Sequence, residues 1–412
     1  MSARTLALYA ALLLCLFPSS ARSEGWTAAL GPRPTLPPII IGVDKKQQRV
    51  TVIQNNHAAR TMRSLGDLPC TTGRKSGDKD SEGDLKTPEG VYFAQGEVRE
   101  GLDHERFGDA AYPLNYPNPV DRLQGNTGSG IFIHGRNRGV GPRQTLGCIV
   151  LENADLARLG THITPQITPV VVGESVAWKN RAAQGPSADV GIAAWGWAAT
   201  QERRDTLFFD LYNPVLYATS MGQPFGRFRA DVLADFARRE WLDIRVTNLR
   251  IFEGPGYLVT AFTQQTFPDG PSGQRRLYWM RQAEIWKIVG EEWVPKSPDR
   301  RTDYPLLVDR EIRARLDECA RAWDRRDLKT LARAYDRAAV RGQDTGKAIG
   351  QTLARELGSM PNPFRGEAAT RITARGVETR LTAQGQPPRT LLFRPANFDA
   401  WVIVRDAVAV QP

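Results

Sequence analysis

The 412-residue chain is expected to fold as a β-rich, sandwich-like domain followed by an α+β part. Three observations lead there. Short apolar strand patterns, separated by long loops rich in Gly, Pro, Asp and Asn, fill the first 175 residues. From residue 190 the texture changes to helix patterns followed by longer strands. The length exceeds one typical domain, and 41% hydrophobic with 24% charged residues is a globular balance that lets each unit bury its own core.

The N-terminus reads as a secretory signal over residues 1–23. Arg4 supplies the positive end, Leu6 to Phe17 is an apolar run too short to anchor in a bilayer, and Ala21 and Ser23 are small residues three and one before a cut ahead of Glu24. Cys15 follows Leu14 rather than a small residue, which argues against lipidation. No later apolar stretch is long enough to span a membrane, so a periplasmic chain is expected. Lys plus Arg total 55 against 45 Asp plus Glu, a formal charge of +10. Export argues against nucleic acid as the partner of that charge and favours anionic envelope polymers and carboxylate-rich peptides. Cleavage leaves Cys70, Cys148 and Cys319, an odd number, so this is no disulfide scaffold and at least one thiol is unpaired.

Residues 24–175 form the first domain. A Pro- and Gly-rich leader, 24–38, precedes strands at Ile39–Val43 and Arg49–Ile53 with a turn between them. Further strands are predicted at Gly90–Ala94, Gly130–His134 and Pro169–Gly173, with a short helix over Asn153–Gly160. Residues 176–189 read as a linker that starts helical. In 190–298, helix patterns run through Trp195, Ala198, Phe208 and Tyr212 and over Phe225–Trp241. Strands follow at Ile244–Phe252, Gly256–Phe267, Gln274–Arg281 and Ala283–Val289, with a hairpin loop at Pro268–Gly273. Residues 308–412 repeat the plan faintly. Arg203–Leu207 resembles Arg325–Lys329, Tyr212 has a counterpart in Tyr335, and Trp286–Val289 has one in Trp401–Val404.

The chemistry points to one stretch. Ile131–Gly135 is a strand that delivers His134 to its end; thirteen residues later the chain returns through Thr145-Leu146-Gly147 to Cys148. A loop of that size can double back and bring imidazole and sulfur together. The imidazole would take the thiol proton and return it to a leaving amine. Gly147 removes side-chain bulk, so N–H groups around Gly147 and Cys148 could meet a developing oxyanion. By itself, a Cys and a His at this spacing is suggestive only.

The surrounding motifs add specificity. Lys75–Tyr92 (KSGDKDSEGDLKTPEGVY), Tyr112–Leu123 (YPLNYPNPVDRL), Gly128–Gly135 (GSGIFIHG), Thr145–Cys148 and Thr168–Val171 occur in the order in which they are found in the YkuD-type L,D-transpeptidases, in the periplasmic YafK-like branch, and residues 39–173 resemble that catalytic domain. The resemblance implies that Cys148 is the nucleophile and His134 the general base. It implies that Gly135, Thr145, Leu146 and Gly147 shape the pocket, and that peptidoglycan stem peptides are the substrate, with no cofactor and no metal. Val150 departs from the pattern, standing where many members carry Arg two residues after the cysteine. Arg136, Arg138, Arg143 and Tyr116 are therefore the candidate substrate contacts. Residues 190–298 resemble the cone-shaped nuclear-transport-factor-2-like domain attached to some of these enzymes, including an L,D-carboxypeptidase that sets helical cell shape, with 308–412 as a second, divergent copy. Such domains supply a pocket, a dimer or partner surface, or a spacer. Transpeptidation, hydrolysis by the same site and non-catalytic peptidoglycan binding all remain open at this point.

Other candidates carry less. Cys70 and Cys319 are expected to be packed and passive. His57, His104 and His162 show no metal-ligand spacing. Glu82, Asp84 and Glu89 read as solvated or turn-forming, and no glycine run forms a phosphate loop.

Overall fold

The computed structural model describes residues 25–179, 187–297, 303–396 and 400–408. The expected export signal lies outside the described residues. No described helix is long and apolar enough to cross a membrane.

The first unit contains ten strands: β1 (Thr27–Leu30), β2 (Ile39–Asp44), β3 (Arg49–Asn56), β4 (Thr61–Pro69), β5 (Gly90–Phe93), β6 (Ala111–Pro113), β7 (Phe132–His134), β8 (Ile149–Val150), β9 (Pro169–Gly173) and β10 (Ser175–Trp178). Its helices are α1 (His104–Phe107), α2 (Pro119–Leu123) and α3 (Asn153–Gly160). A five-stranded sheet runs β4-β3-β2-β9-β5, and a three-stranded sheet runs β6-β7-β8.

The apolar runs of β2, β5 and β9 are continuous rather than alternating, because the large sheet is covered on both faces. Ile41, Val43, Tyr92, Val170 and Val172 point into a core shared with Ile133, Ile149, Leu156 and Leu159 of the small sheet and α3. Ile40, Val91, Phe93 and Val171 point the other way, into a core shared with Phe252, Tyr257, Val259, Tyr278 and Val289 of the second unit.

Two expectations need correction. The leader contains β1, and the start of the linker is not helical but forms β10, which pairs with β1 in parallel. The period-two pattern of Ser175-Val176-Ala177-Trp178 explains this, because Val176 is buried and Trp178 packs beside it.

The second unit holds α4 (Ser187–Glu202), a 3-10 turn (Thr206–Leu211), α5 (Pro214–Met221) and α6 (Phe225–Arg238). An antiparallel meander follows: β11 (Asp243–Gly254), β12 (Tyr257–Phe267), β13 (Ser272–Gln282) and β14 (Ile285–Pro295). α5 is an addition to the sequence reading. Its signals are local: Asn213 caps the Leu216 N–H at 2.8 Å, Pro214 opens the helix, and Gly222 closes it at φ 64°.

The third unit holds α7 (Tyr304–Asp324), α8 (Leu328–Arg333), β15 (Tyr335–Arg341), β16 (Asp344–Thr345), α9 (Lys347–Glu356), β17 (Glu367–Thr373), β18 (Gly376–Thr382), β19 (Arg389–Pro395) and β20 (Trp401–Val408). Its six-stranded sheet runs β16-β15-β20-β19-β18-β17. Trp241 of the second unit lies in the third unit's core and donates to Thr373 O at 3.0 Å.

Candidate functional site: Cys148 and His134

β7 and β8 run parallel, with Ile133 opposite Ile149 and His134 opposite Val150. Cys148 precedes β8 by one residue and stands two residues before the partner of His134, which puts both side chains on one face of the small sheet. Strand spacings place their Cα atoms about 8 Å apart, within reach of an imidazole and a thiol. Cys148 Sγ faces the Gly130 carbonyl at 3.5 Å.

His134 is buried, and its Nδ1 meets the Gly135 carbonyl at 3.0 Å. A carbonyl only accepts, so Nδ1 carries the hydrogen and Nε2 is left as a base. The Phe107 ring stands edge-on to the imidazole, with centroids 5.1 Å apart. Burial pushes the His134 pKa down, against the Gly135 and Phe107 backbone hydrogen bonds and with help from the Arg106 and Arg136 cations, which favours the neutral imidazole. Burial also pushes the Cys148 thiol up, opposed by the Phe132 N–H and by Arg106 and Lys79. Both shifts favour thiol with neutral imidazole over thiolate with imidazolium.

The turn before Cys148 is built from hydroxyls. Thr145 Oγ1 donates to Cys148 O at 2.7 Å and accepts from the Gly147 N–H at 3.0 Å. Thr87 Oγ1 donates to Gly147 O at 2.9 Å and accepts from the Gly73 N–H at 2.8 Å. Gly147 has φ 139°, and a Cβ there would stand 2.8 Å from Lys86 O. A Cβ on Gly135 would stand 2.0 Å from Asn153 Oδ1. The Gly147 N–H is thus already bonded and is not the oxyanion donor expected of it. No described residue accepts from the Cys148 N–H, which leaves that group for the role. Leu146 is 58% exposed beside it, an apolar lip on the site.

The expected substrate contacts fare differently. Tyr116 is core: it is buried, its ring packs against Tyr92, and its OH donates to Thr127 O at 3.1 Å. Arg136 braces its own loop, donating to Arg138 O at 3.1 Å, to Gln144 Oε1 at 2.8 Å and to Gly139 O. Arg143 turns away to Glu174 at 3.1 Å. Arg138 is exposed. Sequence reasoning missed Arg106, Phe107, Lys79 and Thr87. Thr87 lies in a quoted motif, but nothing in the spacing ties α1 to Cys148.

Cys70 and Cys319 are buried free thiols pushed up to about 12 and about 11, so they are inert. Glu89 is not solvated: it is buried in an ion pair with Lys45 at 2.7 Å. Asp84 is the turn-former expected, accepting from the Asp80, Ser81 and Lys86 N–H groups and pairing with Lys79 at 2.8 Å.

Residues 38–172 match the family model of the YkuD L,D-transpeptidase catalytic domain. This stretch carries the likeness to a YkuD domain. No curated protein matches the chain. Among solved structures, Bd1075 of Bdellovibrio bacteriovorus is similar at 23% identity and TM-score 0.49, over 66% of this chain and 97% of that one. Pgp2 of Campylobacter jejuni, a helical cell shape determining protein, is similar at 23% identity and TM-score 0.45, over 62% and 91%. An NTF2-like family protein of Streptomyces avermitilis is similar at 16% identity and TM-score 0.23, over 27% and 96%. The stretch that matches the YkuD model thus holds His134 at the end of β7 and Cys148 just before β8, and two α+β units follow it.

Proposed function

We propose that this protein is a periplasmic peptidoglycan L,D-transpeptidase that works through a Cys148 thioester. The observation that carries the reading is a thiol and a neutral, carbonyl-oriented imidazole on one sheet face of a YkuD-like domain. His134 Nε2 takes the thiol proton as Sγ bonds to the carbonyl carbon of the L-centre residue of a tetrapeptide stem. The Cys148 N–H faces the oxyanion. Collapse breaks the bond to the terminal D-alanine, whose amine takes the proton from His134. An acceptor amine then attacks the thioester, gives its proton to His134 and releases Cys148. With water as acceptor the same site is an L,D-carboxypeptidase. Tetrapeptide muropeptides incubated with the exported chain should yield crosslinked dimers by mass spectrometry. Tripeptides alone would establish the hydrolase, and full activity of Cys148→Ala would defeat both.

We also infer that 190–298 and 308–412 are related copies of an NTF2-like unit. The helix ends agree: Arg204 and Arg326 have φ 53° and 57°, and the next residues donate five back, Asp205 to Thr200 O and Asp327 to Ala322 O, both at 2.8 Å. The sheets agree: Tyr212 bridges Ile288 and Tyr335 bridges Ile403, both in parallel, and a register shift falls at Tyr278/Trp279 and at Leu392/Phe393. Each unit encloses a Tyr–acid–Arg set: Tyr212, Glu291 and Arg275 in one, Tyr335, Asp406 and Arg389 in the other.

A further inference from the structure

Residue 150 is a buried valine on β8, so no cation stands two residues after the cysteine. The scissile bond of a tetrapeptide stem lies one residue from a free carboxylate, so a cation close to Cys148 is needed to hold that end. Arg136 is spent on its loop and Arg143 on Glu174. Lys79 is held by Asp84 and Ser81 O, each at 2.8 Å.

Arg106 is different. Its guanidinium lies 5.0 Å over the Phe107 ring, and Phe107 packs against both His134 (5.1 Å) and Phe132 (5.7 Å). Phe132 is the residue whose N–H faces Cys148 Sγ. Arg106 is exposed and has no carboxylate partner among the described residues. Its charge reaches both functional groups: it lowers the pKa of Cys148 and of His134. The site thus has a guanidinium over the aromatic ring that packs on the imidazole, with its fork free of carboxylate partners among the described residues.

We propose that Arg106 binds the terminal D-alanine carboxylate of the donor stem and makes the enzyme select free-acid over amidated tetrapeptides. The assignment rests on the peptidoglycan reading above and deepens it. The test uses the full mature chain, a tetrapeptide muropeptide, and the same peptide ending in D-alaninamide. Wild type should prefer the acid by about 10- to 100-fold in kcat/KM, the span of a charge-assisted pair. Arg106→Gln should lose that preference, with kcat/KM falling about 10- to 100-fold further on the acid than on the amide and most of the difference lying in KM. Arg106→Lys should recover part of it, and Arg138→Gln should keep it in full. An Arg106→Gln enzyme that still prefers the acid overturns the assignment. So does one that slows equally on both peptides, since Arg106 would then act on Cys148 and His134 rather than on substrate. If wild type turns over neither peptide, the peptidoglycan reading fails and takes the assignment with it.

Discussion

Burial favours the protonated thiol of Cys148, outweighing the Phe132 N–H and the nearby cations. The reactive state must therefore be generated by His134 at the moment of attack. The sign of the pH dependence follows. His134 works as a base only when neutral, and its pKa is depressed, so the acid limb of kcat/KM should fall below the ordinary value of 6.5. A resting thiolate–imidazolium pair would instead need the charged ring and lose activity as pH rises. Alkylation of Cys148 by iodoacetamide, followed by mass spectrometry, should be slow at neutral pH and accelerate above pH 9.0. Gly147→Ala is the sharpest backbone test. The left-handed φ and the approach to Lys86 O should cost about 1–3 kcal/mol and displace the nucleophile, read as a lower Tm with loss of turnover. His134 and Cys148 were legible in the sequence because a strand and a short return loop keep them adjacent in the chain. Arg106 was not, because only the packing of Phe107 on His134 brings α1 to the site.

Thr87 links three segments of chain with one hydroxyl, joining Gly73 to Gly147. Thr87→Val keeps the shape and removes both bonds, so it should cost about 1–3 kcal/mol by denaturant titration and lower activity further by loosening the nucleophile turn. In the third unit, Asp406 is buried with Arg389, Arg341 and Tyr335. These partners hold its carboxyl below the usual range of 3.8, so its stabilisation is present above that value and is lost as pH falls through the lowered one. Asp406→Ala leaves the buried Arg389 guanidinium without its carboxylate and should cost about 3–5 kcal/mol, visible by calorimetry. Several elements were plain in the sequence. β2, β3, β9 and α3 have strong apolar patterns with sharp ends. β4 was not plain, because only Met62 and Leu68 of its nine residues are buried and pairing with β3 fixes the rest. β10 was hidden by its four-residue length and its distance in sequence from β1.

At the scale of the molecule, the YkuD-like domain and the second unit share hydrogen bonds as well as a core. Tyr257 OH accepts from the buried Val91 N–H at 3.0 Å, Asn115 donates to Glu292 at 3.0 Å, and Arg276 donates to Gln166 O at 2.7 Å. Tyr257→Phe strands the Val91 N–H and should cost about 1–3 kcal/mol. Its loss should appear as a lower single melting transition for both units, not as the early melting of one. This union was illegible beforehand. The continuous apolar strands announced burial on both faces but could not name the second cover.

The two-faced sheet has a practical corollary for anyone cutting the gene. A fragment ending at residue 179 would keep every motif and still bare Ile40, Ile53, Val91, Phe93 and Val171 to solvent, a greasy flank where the full chain has a seam. The borders of a recognisable catalytic unit are not the borders of a portable one.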